Sequence, residues 1–301
     1  MIMLGIRIVA TALLVFSLFG CHHSPAALHE DRFVDVPVQT VTVNGADMGY
    51  RVVGQGEPLL LVMGYAGCMD VWDPVLVSGL AEHFRVIMFD NRGMGYSGTG
   101  GADSMQELSM KTMARDALGV MHALGLERAH VLGWSMGSLI AQEMALESPR
   151  NVGKLILYGT AVDPAPVVAA VERLGRLSPE EFMKYLFPAP WVGEHPDVFK
   201  RLPAPAIPAS PATVAAQYSA IARWQGTSER VRSISKDTLV LVGENDPLTP
   251  PAQSIRTAEL IPGAWLVRFR GGGHWLMYQN PATLARVIVD FLTVDQNLLH
   301  Q

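Results

Sequence analysis

Two hydrophobic rhythms run along the chain, and their order predicts its architecture. Residues 38–43 (VQTVTV) and 48–53 (MGYRVV) alternate apolar and polar positions on either side of Asn44-Gly45, the signature of a tight antiparallel hairpin. The next two runs, PLLLVM at 58–63 and RVIMFD at 85–90, are apolar almost throughout. Strands of that kind need cover on both faces, so they belong in the middle of a sheet clothed by helices. Between them, from about Val71 to His83, the spacing allows a helix. The alternation persists, with helical spacing over 104–125, a strand at 129–134 (AHVLGW), a helix over 138–148 and a strand at 152–159 (VGKLILYG). Strands at 238–243 and 264–269 and a closing helix at 281–292 complete the series. Such repetition implies an α/β fold with a mainly parallel sheet and right-handed crossovers.

The rhythm breaks once. From about 161 to 233 the chain is proline-rich, with PAPVV, FPAPWV and LPAPAIPASPA separating short helical patches such as SPEEFMKYLF and ATVAAQYSAIARW. The many apolar residues in this stretch predict a packed helical lid over the ends of the strands rather than a loose loop.

The N-terminus reads differently from the rest. Residues 1–20 carry a single charge, Arg7, followed by an apolar run from Ile8 to Phe19 that is short for a membrane span and has the length of a signal-peptide core. It ends in Leu18-Phe19-Gly20-Cys21, which resembles the lipobox of bacterial lipoproteins. That resemblance implies cleavage before Cys21, acylation of Cys21, and a lipid-anchored tether over 21–34 leading into one domain over 35–301. Each buried acyl methylene adds about 0.8 kcal/mol to such an anchor. His22, where an aspartate would retain the protein at the inner membrane, implies the outer membrane facing the periplasm. The alternative is an ordinary cleaved signal with an incidental cysteine.

Composition and charge narrow the classes. With 49% hydrophobic and 17% charged residues the chain can build a large core and is not a disordered polyanion. The formal net charge of −5 becomes −6 once Arg7 is removed, and no Lys/Arg cluster follows, which argues against a nucleic-acid partner. Only Cys21 and Cys68 are present, so with Cys21 acylated no disulfide forms within the chain, and Cys68 reads as a small buried hydrophobe. There is no H-E-x-x-H and no C-x-x-C, so no metal or other cofactor is implied.

The candidate chemistry centres on Gly133-Trp134-Ser135-Met136-Gly137, a G-x-S-x-G at a strand-to-helix seam. Such a turn holds the serine in a strained backbone conformation, and side chains at the flanking positions would collide with the strand and helix. A serine hydroxyl becomes a good nucleophile only when a base accepts its proton and a third group orients that base. His274, in the glycine-rich RFRGGGHW loop after the last strand, is the candidate base. Asp246, in GENDPLTP just beyond a buried strand, is the favoured acid, with Asp163 in GTAVDPAP the alternative. An oxyanion hole would supply roughly 3 to 4 kcal/mol per donor. Its candidate donors are the backbone N–H groups of Met136, at a helix start, and of Tyr65, in the loop after LLLVM.

Four stretches together resemble the α/β-hydrolase superfamily: FDNRGMGYSG its D-x-R-G-x-G-x-S loop, GWSMGS its elbow, GENDPLTP its acid turn and GGGHW its histidine loop. The resemblance covers nearly all of the chain after the tether. It implies a carboxylic ester hydrolase working on a small-molecule ester through an acyl-enzyme, in the chain order Ser135, Asp246, His274. The departure is Met63, where many members carry the histidine of an H-G pair. Because the donor nearby is a backbone N–H, this bears on Tyr65 only slightly. Trp134, Met136 and Trp275 suggest an apolar pocket, but the substrate is not legible. Three rivals stand beside this reading. One is a same-fold enzyme of another reaction, such as a C–C bond hydrolase or perhydrolase; another is a non-catalytic ligand-binding protein. The third is a dinucleotide enzyme using the G-x-G-x-x-G at 93–98, disfavoured by the lack of an immediate helix.

Overall fold

The computed structural model describes residues 33–101 and 103–295. Cys21 and the expected signal segment lie outside the described residues; among those described, no helix is long and apolar enough to cross a membrane. The hairpin forms as β1 (Gln39–Val43) and β2 (Ala46–Val53). Asn44 and Gly45 take φ of 48° and 75°, the left-handed pair whose twist matches the flanking strands.

The remaining strands are β3 (Glu57–Val62), β4 (Phe84–Phe89), β5 (Ala129–Trp134), β6 (Val152–Tyr158), β7 (Thr238–Gly243) and β8 (Trp265–Phe269). They form one eight-stranded sheet in the order β1-β2-β4-β3-β5-β6-β7-β8, parallel from β4 to β8 and antiparallel only at the β1 and β2 end. Leu59, Leu60, Leu61 and Val62 of β3 are all fully buried. Alternate residues serve opposite faces, as the two-residue period of a strand requires. Leu60 and Val62 join Met113, Ala117 and Leu139 on one side. Leu59 and Leu61 join Leu76, Leu284 and Ile288 on the other. Each such side chain contributes about 1.5–3 kcal/mol by leaving water.

Two of the helices start behind side-chain caps, later than hydrophobic spacing alone suggests. Helix α1 (Pro74–Ala81) begins behind Asp73, whose carboxylate accepts from Val75 N and Leu76 N. Helix α2 (Met110–Ala123) begins behind Ser109, which forms a reciprocal capping box with Thr112, so 104–108 stay outside the helix. Helix α3 (Met136–Glu147) follows β5 directly.

Between β6 and β7 the chain forms α4 (Pro164–Leu174), α5 (Pro179–Tyr185), α6 (Ala189–Glu194), α7 (Val198–Arg201) and α8 (Pro211–Arg223). Several of the prolines that seemed to break this stretch open helices instead. Pro164 is the first residue of α4 and Pro166 the third, positions whose N–H groups have no intrahelical partner to lose. Helices α9 (Pro251–Leu260), α10 (Leu276–Gln279) and α11 (Pro281–Thr293) complete the described chain.

The strand order reverses at β3. After β3 the chain adds β4 on one side and then β5 on the other, and a crevice opens at the carboxyl ends of strands where such a reversal occurs. The loops after β3, β5, β7 and β8 all leave from those ends.

Candidate active site

Ser135 sits between β5 and α3 with φ of 56° and ψ of −123°. Only Asn44 and Ala66 share a positive φ among the described non-glycine residues. Such a conformation costs on the order of 1–3 kcal/mol and persists only where the surroundings impose it. Here Ser135 N donates to Tyr158 O at 2.9 Å, and Ser138 N donates back to Ser135 O at 2.8 Å. The flanking glycines are required by space. A Cβ on Gly133 would lie 2.3 Å from Gly137 O, and one on Gly137 would lie 2.0 Å from Val62 O.

His274 Nε2 lies 3.0 Å from Ser135 Oγ, and its Nδ1 lies 2.8 Å from Asp246 Oδ2. An ionised carboxylate only accepts, so the ring proton is assigned to Nδ1, which leaves Nε2 free to accept from the serine hydroxyl. Both side chains are buried, His274 to 2% and Asp246 to 3% exposure. The carboxylate is fully engaged. Oδ1 accepts from Leu248 N at 2.8 Å and Thr249 N at 2.9 Å, and Oδ2 also accepts from Thr249 Oγ1 at 2.6 Å. The His274 carbonyl accepts from Tyr158 Oη at 2.9 Å and Trp134 Nε1 at 3.3 Å. Burial pushes the Tyr158 phenol well above its ordinary pKa, so it stays a neutral donor. Asp163 is placed elsewhere: its Oδ2 pairs with Arg256 Nη1 at 2.5 Å. Glu244 pairs with Arg268.

Met136 opens α3, where a backbone N–H has no intrahelical acceptor and the helix dipole concentrates about half a positive charge. Tyr65 lies in the loop after β3, and with Ser135, Met136 and His274 it lines one pocket. The next amide, Ala66 N, donates to Gln217 Oε1 at 2.8 Å. The Met63 carbonyl accepts from Asn91 Nδ2 at 3.0 Å. The pocket walls are apolar: Val167, Val171 and Leu174 from α4, Phe182 from α5, Ile221 from α8, and Trp275. Three of the five helices in the stretch expected to act as a lid, α4, α5 and α8, thus contribute to the wall beside Ser135.

The G-x-G-x-x-G at 93–98 does not lead directly into a helix. The loop closes around Asp90, whose carboxylate accepts from Met69 N at 2.6 Å and Tyr96 N at 2.8 Å, and the next helix begins only at Met110. Cys68 is a buried free thiol. Among the described residues no group of three or more histidine, cysteine or carboxylate side chains is placed to hold a metal ion.

Sequence reading missed four contributors. Thr249 had a local signal, a hydroxyl three residues after Asp246 in a proline-flanked turn. Tyr158 and Asn91 had none beyond their strand-end positions. Gln217 was visible only as a polar residue on the buried Val214–Ile221 face of α8.

Known proteins share the fold and align with most of the chain. A family model described as the alpha/beta hydrolase fold matches residues 57–190 and 169–281. A RutD protein of Azorhizobium caulinodans, named for carbamate hydrolysis, is 30% identical over 263 residues, which span 83% of this chain and 97% of that protein. Among solved structures, an alpha/beta hydrolase fold protein from Chitinophaga pinensis has a TM-score of 0.77 and 28% identity, covering 88% of this chain and 100% of that one. A thermophilic esterase from Thermogutta terrifontis has a TM-score of 0.72 and 26% identity, covering 85% of this chain and 98% of that one. With more than half of its length matched to the family model, the chain belongs to the alpha/beta hydrolase family.

Proposed function

We propose that the protein is a serine hydrolase that cleaves carboxylic esters with a carbon-rich acyl or alkyl group. The observation that carries this reading is the unbroken relay from Asp246 through His274 to Ser135 Oγ at the mouth of an apolar pocket. In this scheme Ser135 Oγ attacks the ester carbonyl carbon while His274 Nε2 takes its proton, and Asp246 stabilises the imidazolium. The N–H groups of Met136 and Tyr65 hold the oxyanion of the tetrahedral intermediate. The intermediate collapses to an acyl-enzyme, and the leaving alkoxide takes the proton from His274. A water molecule, deprotonated by the same nitrogen, then releases the carboxylic acid.

A second reading, carbamate hydrolysis, is favoured by the name of the RutD relatives. Both reactions present a carbonyl carbon to Ser135, so the triad does not separate them. The apolar walls favour an ester with hydrocarbon bulk over a small polar carbamate.

The test is a panel of nitrophenyl esters from acetate to decanoate beside N-alkyl carbamates of matched size. The expected result is a kcat/KM that rises from acetate to about hexanoate, with Ser135→Ala lowering turnover by about 10⁴-fold or more. Turnover confined to the carbamates would move the assignment to the second reading. Near-normal ester turnover by Ser135→Ala would end the serine mechanism.

A further inference from the structure

The loop that carries Tyr65 is held from two sides by amide side chains that the reaction scheme does not use. Asn91, following β4, holds the Met63 carbonyl. From the lid side, Gln217 of α8 accepts the Ala66 N–H. Gln217 is fully buried and its Nε2 has no hydrogen-bond partner. For packing alone an apolar side chain would serve better at that position, because an unpaired buried N–H₂ is costly. What Gln217 offers instead is its acceptor oxygen. Ala66 needs one, since its φ of 58° is a conformation that a residue with a Cβ adopts only under constraint. Ala66 also packs with Met94, Ala209 and Val214, which sets the start of α8 directly on this loop. A second tie joins the same regions, Ala206 N donating to Asp70 Oδ2 at 3.0 Å.

We infer that Gln217 is a positioning residue: by fixing the Ala66 amide it orients the adjacent Tyr65 N–H toward the oxyanion, so that the hole is complete only while α8 is docked. The inference rests on the serine-hydrolase reading above. It also divides the loop's donors, because Ala66 N–H is committed to Gln217 and the oxyanion falls to Tyr65 and Met136. A donor to a developing charge works through close geometry, so a small displacement of Tyr65 weakens the transition state more than substrate binding.

Gln217→Met keeps the bulk and removes the acceptor. It is expected to lower kcat on nitrophenyl hexanoate by about tenfold or more while KM stays within about twofold. A hexyl boronic acid gives a readout that packing alone would not move. Ser135 Oγ forms a bond to boron, the serine proton passes to His274 Nε2, and the tetrahedral boronate anion places one of its hydroxyl oxygens in the hole. Its affinity should fall by the same factor as kcat/KM, with hexanol inhibition unchanged. Gln217→Glu, which retains an acceptor oxygen, should recover most of the activity. Gln217→Asn, too short to reach Ala66, should behave as Gln217→Met and carries the test if the methionine variant does not fold. If the parent binds the boronate and Gln217→Met does so equally well with unchanged kcat, or loses only KM, the inference is overturned. A parent that binds no boronate and cleaves no ester would instead defeat the functional reading beneath it.

Discussion

The two flanks of Ser135 are built on different principles. On one flank, the Asp246 carboxylate receives two backbone N–H groups, one hydroxyl and the His274 ring, with the backbone and hydroxyl donors supplied by the next three residues of the same turn. On the other, the 63–67 loop contains a non-glycine residue at positive φ and is held by Asn91 and Gln217, which lie far away in sequence. Each of these two amides leaves one buried polar atom unpaired, Asn91 Oδ1 and Gln217 Nε2. The Asp246 flank is thus fixed locally and fully satisfied, whereas the flank that carries Tyr65 depends on long-range contacts. The first should keep its geometry whether or not α8 is in place; the second should respond to α8.

The largest effect that would break this contrast lies on the acid flank. Asp246→Asn removes the acceptor that sets the His274 tautomer and should lower kcat by about 10⁴-fold. Asp163→Asn should change it by less than about threefold, because its partly exposed pair with Arg256 is of the kind that contributes little. Steady-state kinetics on both purified variants decides the matter, and a severe loss in Asp163→Asn alone would reassign the acid.

A smaller effect tests how far the local turn secures that flank. Thr249→Val deletes the hydroxyl bond to Asp246 Oδ2 but leaves the Leu248 and Thr249 amides on Oδ1. The expected loss in kcat is about tenfold, or about 1.4 kcal/mol at the transition state. A loss as large as that of Asp246→Asn would mean that the backbone donors alone do not hold the carboxylate.

The smallest effect lies next to the Tyr65 flank, at Asp90 beside Asn91, and appears in stability. Burial raises the Asp90 carboxyl from 3.8 to about 7 against the opposing pull of the Tyr96 and Met69 amides. The folded chain therefore binds this proton more tightly than the unfolded chain. The stability so contributed is complete below pH 3.8 and is lost as the pH rises through about 7. The Tm advantage of the parent over Asp90→Asn should accordingly shrink between pH 5 and pH 8 in thermal melts. A constant difference across that range would show that Asp90 is ionised in the fold throughout.

The sequence by itself determined whatever rests on local periodicity and local turns. The strand runs from 58–63 to 238–243 appear as β3 to β7, because a strand covered on both faces must be apolar almost throughout, whereas the edge strand β8 alternates half-buried and exposed positions. The residues Ser135, Asp246 and His274 could be picked out because each stands in a turn just after a strand, with glycine or proline close by, where backbone crowding restricts residue choice. Prolines misled only where their place in a helix mattered, since Pro164 and Pro166 open α4 rather than interrupt it. Tertiary structure decided what depends on distance between remote residues. It gave His274 to Asp246 by pairing β7 with β8, and Asp163 to Arg256 by tying α9 to the segment after β6. It brought Gln217 against Ala66 across 151 positions of sequence. No local pattern encodes such a contact, because its partners are set by how the lid docks on the sheet and not by neighbours along the chain.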